Sequence, residues 1–126
     1  MIKLVYCVHR KPGMSPEEFS SYWKEKHGPL VESYAAALKA QRYVQSHLLD
    51  SPLNEVARGG RGATGAFDGI TEIWWNSHDE LMAAMQTPEG VSAHEKLIED
   101  EATFCDLSRS SIFLTREHSI FDCKEA

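Results

Sequence analysis

The sequence predicts an α+β fold of ferredoxin-like βαββαβ order, an antiparallel four-stranded sheet with helices on one face. Three observations predict it. Four segments alternate in residue character with the two-residue period of a strand. Two longer stretches between them open with helix-capping sequences. The segments follow one another as strand, helix, strand, strand, helix, strand.

The first strand is read at residues 2–9, with Ile2, Leu4, Tyr6 and Val8 on one face and Lys3, Val5, Cys7 and His9 on the other. No small-residue cleavage site follows this apolar run, so it reads as a strand and not as a signal peptide. Lys11-Pro12-Gly13-Met14 is a turn, and Ser15-Pro16-Glu17-Glu18 is a capping box with proline at the first helical position. Met14 and Phe19 are placed to staple that helix. It should run from Pro16 to about Lys26, break at Gly28-Pro29 and resume to about Lys39, with Phe19, Trp23, Leu30 and Tyr34 toward the sheet.

Residues 41–50 alternate again, and Tyr43, Gln45, His47 and Leu49 share a face. Residues 51–66, with Pro52 and glycines at 59, 60, 62 and 65, read as a flexible loop; its Arg58 and Arg61 either grip an anion, close as a lid or are simply solvated. Residues 67–76 form the strongest strand. Ser77 to Glu80 is a second capping box for a short helix ending near Gln86. Thr87-Pro88 opens another that reaches about Phe104, its apolar face drawn from Val91, Leu97, Ile98 and Ala102. The last strand is read at 110–116 and a frayed tail at 119–126.

A length of 126 residues fits one domain, and 42% hydrophobic with 25% charged residues is ordinary globular composition. A net charge of −6 and a pI near 5.5 argue against nucleic acid or an anionic membrane as partner. No apolar run approaches the roughly 18 residues of a membrane span. Cys7, Cys105 and Cys123 are an odd set without a C-x-x-C pair, which excludes a full disulfide framework, gives no zinc signature and makes a reducing cytoplasm the simplest setting. The strands are partly apolar on both faces, whereas two helices cover only one. The sheet is therefore expected to pair with a second copy as a homodimer, or else to be covered by the 51–66 loop and the tail.

His27 is the first candidate for chemistry. At the helix break it either reaches a cleft between helix and sheet, where an imidazole exchanges protons near neutrality, or simply favours the helix C-terminal dipole. Tyr22 could offer its hydroxyl to a ligand carbonyl, and Trp23 either stacks on a planar ring or is core. Glu72, in mid-strand, is either a base of raised pKa in the cleft, within reach of His27 or His94, or the partner of a cation such as Arg42 or Arg116 on the other face. Tyr6, Tyr43 and His47 are strand residues able to line a pocket, Trp74 would be an aromatic wall beside Trp23, and His94 falls in the apolar stripe of the last helix. The zincin, P-loop, dinucleotide and G-x-S-x-G patterns are all missing.

Several segments in register resemble the EthD-domain family of the dimeric α+β barrel superfamily. They are Arg10 to Phe19, Tyr22-Trp23 with His27-Gly28-Pro29-Leu30-Val31, Phe67 to Trp74, and Glu99 to Phe104 followed by Asp106. The resemblance implies a homodimer whose two sheets close into a barrel, and a pocket between sheet and helices in each subunit. It implies activity on apolar or aromatic oxygenated compounds, polyketide-like or xenobiotic, in degradation or oxidoreductase pathways, with no metal or organic cofactor. His27 is the position carried over from it. The rival expectation is a non-catalytic module that holds a ligand for a partner oxidase.

Overall fold

The structure is a computed structural model and describes residues 1–124. Strand β1 (Ile2–Val8) lies between β3 (Gly69–Trp75) and β4 (Ser111–Thr115), and β2 (Arg42–His47) pairs with the outer side of β3. The sheet order is β2-β3-β1-β4 with every pair antiparallel, the order a ferredoxin-like βαββαβ chain produces. Helices α1 (Pro16–Tyr22), α2 (Gly28–Ser33), α3 (Ala35–Leu38), α5 (His78–Ala84) and α6 (Pro88–Phe104) belong to the two crossovers, and α4 (Leu53–Gly59) to the β2–β3 connection. No helix among the described residues is long and apolar enough to cross a membrane. Of the expected tail, residues 125 and 126 lie outside the described residues.

The helix starts follow their caps. The Ser15 hydroxyl accepts from the Glu18 amide at 3.1 Å and the Glu18 carboxylate accepts from the Ser15 amide at 3.0 Å. Ser77 accepts from Glu80, and Thr87 from Gly90. The expected 51–66 loop instead contains α4. Ser51 accepts from the Leu53 amide, and Leu53 to Arg58 are mostly adequate helix formers, so the glycines only end the turn.

The expected break at Gly28-Pro29 takes a different form. Trp23–His27 is a π-helical segment, in which the Gly28 amide bonds to the Trp23 carbonyl five residues back. Two features favour it. Pro29 has no amide proton and its ring crowds the carbonyl four residues earlier. In addition, the buried positions Phe19, Trp23, His27 and Val31 recur every four residues. In an α-helix of about 3.6 residues per turn that spacing drifts by about 40° per step. The widened π turn takes up the drift and keeps all four residues facing inward.

The register separates two sheet faces. Ile2, Leu4, Tyr6 and Val8 share the helix side with Tyr43, Gln45, His47, Gly69, Thr71, Ile73 and Trp75. There Val8, Phe19, Trp23 and Phe104 are fully buried, and a second cluster joins Val31, Leu38, Ala93 and Leu97. The opposite face carries Lys3, Val5, Val44, Ile70, Glu72, Trp74 and Phe113. No helix among the described residues covers it, and Ile70 and Phe113 are exposed. Arg42 and Lys3 lie over the Trp74 ring at 4.6 and 5.3 Å, and the Trp74 indole donates to Glu117.

Gly69 is required where Trp23 meets the sheet. A Cβ there would stand 2.3 Å from the Trp23 ring, whereas one at Gly65 would meet nothing within 4 Å. Gly69→Ala should cost about 1–3 kcal/mol in urea unfolding and Gly65→Ala close to nothing. Equal effects of the two would contradict this packing.

Candidate functional site

The π segment turns the His27 ring away from the sheet edge and toward α6. His27 is 5% exposed, and its Nδ1 lies 2.7 Å from Asp100 Oδ2. The Tyr22 hydroxyl donates to the other Asp100 oxygen at 2.5 Å. His27 Nε2 faces Glu101 Oε2 at 3.9 Å. The Tyr6 hydroxyl, on the sheet below, also interacts with Glu101. Phe104 packs on both Tyr22 and His27 at ring distances of 5.0 Å, and Cys105 closes the cluster.

Burial lowers the His27 pKa, and the neighbouring Asp100 opposes it only in part, so the ring is neutral at pH 7. A neutral imidazole has one N–H. With a carboxylate at Nδ1 the proton belongs there, which leaves the Nε2 lone pair open to accept one. Burial, reinforced by the Asp100 charge and partly offset by Tyr6, raises Glu101 to about 7. Two titratable groups thus face each other with a neutral base on one side and a carboxyl poised to hold or release a proton on the other. Burial and the Glu101 charge push the Tyr6 hydroxyl well above its ordinary value, and burial raises the Cys105 thiol to about 12, so neither ionises near neutrality.

A groove of about 920 Å³ runs along the free edge of β2, walled by Ser20, Lys24, Pro29, Tyr43, Gln45 and His47, among others. The Gln45 amide donates to the Tyr43 hydroxyl and to the Trp23 carbonyl, both at 2.8 Å. Tyr43 spans the wall: it lines the groove, and its hydroxyl feels the Glu101 charge.

The structure brings His27, Tyr22 and Tyr6 together and sets Tyr43 and His47 in the groove. Trp23, 1% exposed, is core between the two and packs on His47 at 4.3 Å. The Tyr22 hydroxyl expected to meet a ligand is engaged by Asp100. Three expectations are corrected. Glu72 lies on the uncovered face, where it pairs with Lys3 at 2.6 Å instead of Arg42 or Arg116, and the sheet separates it from His27. Trp74 shares that face, because strand side chains alternate, and cannot wall a cleft beside Trp23. His94 is exposed, since the inward stripe of α6 is Gly90, Ala93, Leu97 and Phe104, while Val91 and Ile98 face solvent.

Sequence reasoning missed Asp100 and Glu101. The signal was present: they lie three and four residues after Leu97 and four and three before Phe104, so both fall inside a buried stripe. Glu101 makes a pH prediction. Well below its ordinary value of 4.5 the carboxyl is protonated in both states, and its burial costs little. As pH rises the unfolded chain ionises first, so folding stability falls until the native group also ionises at about 7. Glu101→Gln should therefore be increasingly stabilising relative to the parent, from little at pH 4.5 to about 3 kcal/mol above pH 7, in urea unfolding across pH. A pH-independent difference would contradict the assignment.

Comparison with known proteins follows the same lines. The EthD domain family model matches residues 11–108. Among curated proteins none matches significantly. An EthD family protein of Bacillus halodurans is similar in structure, with TM-score 0.62 and 19% identity over 94% of this chain and 99% of that one. A dimeric protein of ferredoxin-like fold from Bacteroides fragilis has TM-score 0.58 at 9% identity, covering 92% and 95%. SnoaB, a cofactor-independent oxygenase from Streptomyces nogalater, has TM-score 0.52 at 15% identity, covering 96% and 97%. These likenesses concern the fold. The family match spans most of the chain, including the Tyr22-Trp23 and His27-Gly28-Pro29 block and the helix that carries Asp100 and Glu101, and the protein belongs to the EthD domain family.

Proposed function

We propose that this protein is a homodimeric small-molecule enzyme that moves a proton with its own side chains and requires no cofactor. The observation that carries the reading is the buried His27, held at Nδ1 by Asp100 and turned at Nε2 toward Glu101. His27 Nε2 takes a proton from an acidic C–H or O–H of the substrate. Asp100 then faces the imidazolium and stabilises it, and Tyr22 keeps Asp100 aimed. Glu101, protonated over part of the range near neutrality, exchanges the proton onward, and the Tyr6 hydroxyl is a donor for a developing oxyanion. Tyr22 is in this scheme a positioning residue. Phe104 and Trp23 keep bulk water from the cluster.

The substrate class is an apolar or aromatic oxygenated compound. The groove along β2 offers such a compound an apolar wall, and the Tyr43 hydroxyl on that wall feels the Glu101 charge. The likeness to SnoaB supports cofactor-independent chemistry on this fold. The uncovered sheet face, with Ile70 and Phe113 exposed, and the dimeric neighbour support the homodimer. The near-complete burial of His27 favours a second reading, a module that binds such a compound for a partner oxidase without turning it over.

Anthrone in deuterated buffer separates the two. Its ring CH₂ is acidic, so a working base speeds deuterium entry, which is read by mass spectrometry. The protein should accelerate exchange, and His27→Ala should lose about 10²–10⁴-fold of it while sedimenting as the same two-chain particle. Binding without faster exchange would select the module, and full exchange in His27→Ala would remove His27 from the mechanism.

A further inference from the structure

The groove holds a second constellation that the proton-transfer scheme does not use. The Ser20 hydroxyl lies 2.5 Å from His47 Nδ1, and His47 Nε2 lies 2.8 Å from the Gln45 side-chain oxygen. An amide oxygen only accepts, so the imidazole proton sits on Nε2 and the Nδ1 lone pair faces Ser20. Gln45 is itself fixed, because its amide donates to the Trp23 carbonyl and to Tyr43. Lys24, one helical turn after Ser20, lines the same groove. Ser20 and His47 are both partly exposed on that wall. Burial and the Lys24 charge lower the His47 pKa, which keeps the base neutral.

We propose that Ser20, His47 and Gln45 form a nucleophilic acyl-transfer site in the groove, able to hydrolyse small apolar esters, and that it is distinct from the His27 cluster. The parts are a nucleophile, a base within hydrogen-bond reach and a group that orients the base. Ser20 Oγ attacks the ester carbonyl carbon as its proton passes to His47 Nδ1, and the Lys24 ammonium faces the negative charge that develops on the carbonyl oxygen. The C–O bond to the alcohol then breaks, and the alcohol departs with the proton from His47. Water, deprotonated by His47, attacks the acyl-serine, releases the carboxylic acid and returns the proton to Ser20. No oxidant or reductant is involved. Pro29, Val31 and Ala35 give the groove an apolar wall, which suits a short acyl or aryl group over a charged one.

An alkyl fluorophosphonate tests this directly on the unmodified protein, because it phosphonylates an activated hydroxyl and leaves an ordinary serine unlabelled. Peptide mapping should place the adduct on Ser20. Acid-quenched reaction with p-nitrophenyl acetate should trap an acetyl group at the same residue. Ser20→Ala should abolish both, His47→Gln should slow labelling at least about a hundredfold, and Ser21→Ala, an exposed neighbour, should label like the parent. No adduct on Ser20 of the parent protein, or labelling of His47→Gln at the parental rate, would overturn the proposal. Because the adduct is mapped on the parent chain, misfolding of a variant cannot obscure whether Ser20 is the nucleophile. Deuterium exchange into anthrone is a separate readout, so this proposal and the His27 reading fail independently.

Discussion

Burying an imidazole and carboxylates together between a helix and its neighbour is costly unless the groups satisfy one another. The bond between His27 and Asp100 meets that condition, and much of the molecule is arranged around it. It ties the π segment of the first crossover to α6 of the second, the two elements that roof the sheet. It also sets the tautomer of the ring, because the Nδ1 proton is committed to Asp100 and the base is left at Nε2. Tyr22 bonds the remaining Asp100 oxygen, so neither oxygen of that carboxylate is unpartnered in a poorly hydrated setting.

The packing follows from the same constraint. The six-membered ring of Trp23 presses against Gly69 and fills the space between cluster and groove, a close approach that a Cβ would block. Gln45 reaches past Gly28 to the Trp23 carbonyl, and there a Cβ would make only ordinary contact with the Gln45 amide, at 3.4 Å. The π turn, Gly69 and the polar chain of Tyr43, Gln45 and His47 along β2 thus act together to form one wall of the groove. On the other side of the sheet, Lys3, Glu72, Arg42 and Trp74 form a charged and aromatic surface that shares no atoms with this chemistry.

Much of this was legible in the residues, for physical reasons that differ by element. The capping sequences at Ser15, Ser77 and Thr87 are local signals, and the helices start where those signals stand. Alternation in β1 sets Ile2, Leu4, Tyr6 and Val8 against Lys3, Val5 and Cys7 as the register does, because a strand period of two leaves no third choice. Which of the two faces the helices cover is not local information, so the residues alone leave Glu72 two roles, and the neighbouring Lys3 decides between them. On α6 a search for apolar residues favoured Val91 and Ile98, both exposed, and passed over Asp100 and Glu101, because carboxylates are ordinarily solvated. Charged residues inside a buried stripe are where local rules fail at a working site. The break at Gly28-Pro29 was visible, but its resolution as a π turn depended on four inward residues spaced by four, a feature of tertiary packing.

The chemistry depends on where one proton sits on the His27 ring, and nitrogen NMR of the imidazoles reads it directly. In uniformly ¹⁵N-labelled protein at pH 7, His27 should show a protonated, pyrrole-type Nδ1 and an unprotonated, pyridine-type Nε2, and Asp100→Asn should change that signature. A His27 that is doubly protonated at pH 7, or one whose proton resides on Nε2, would contradict the account.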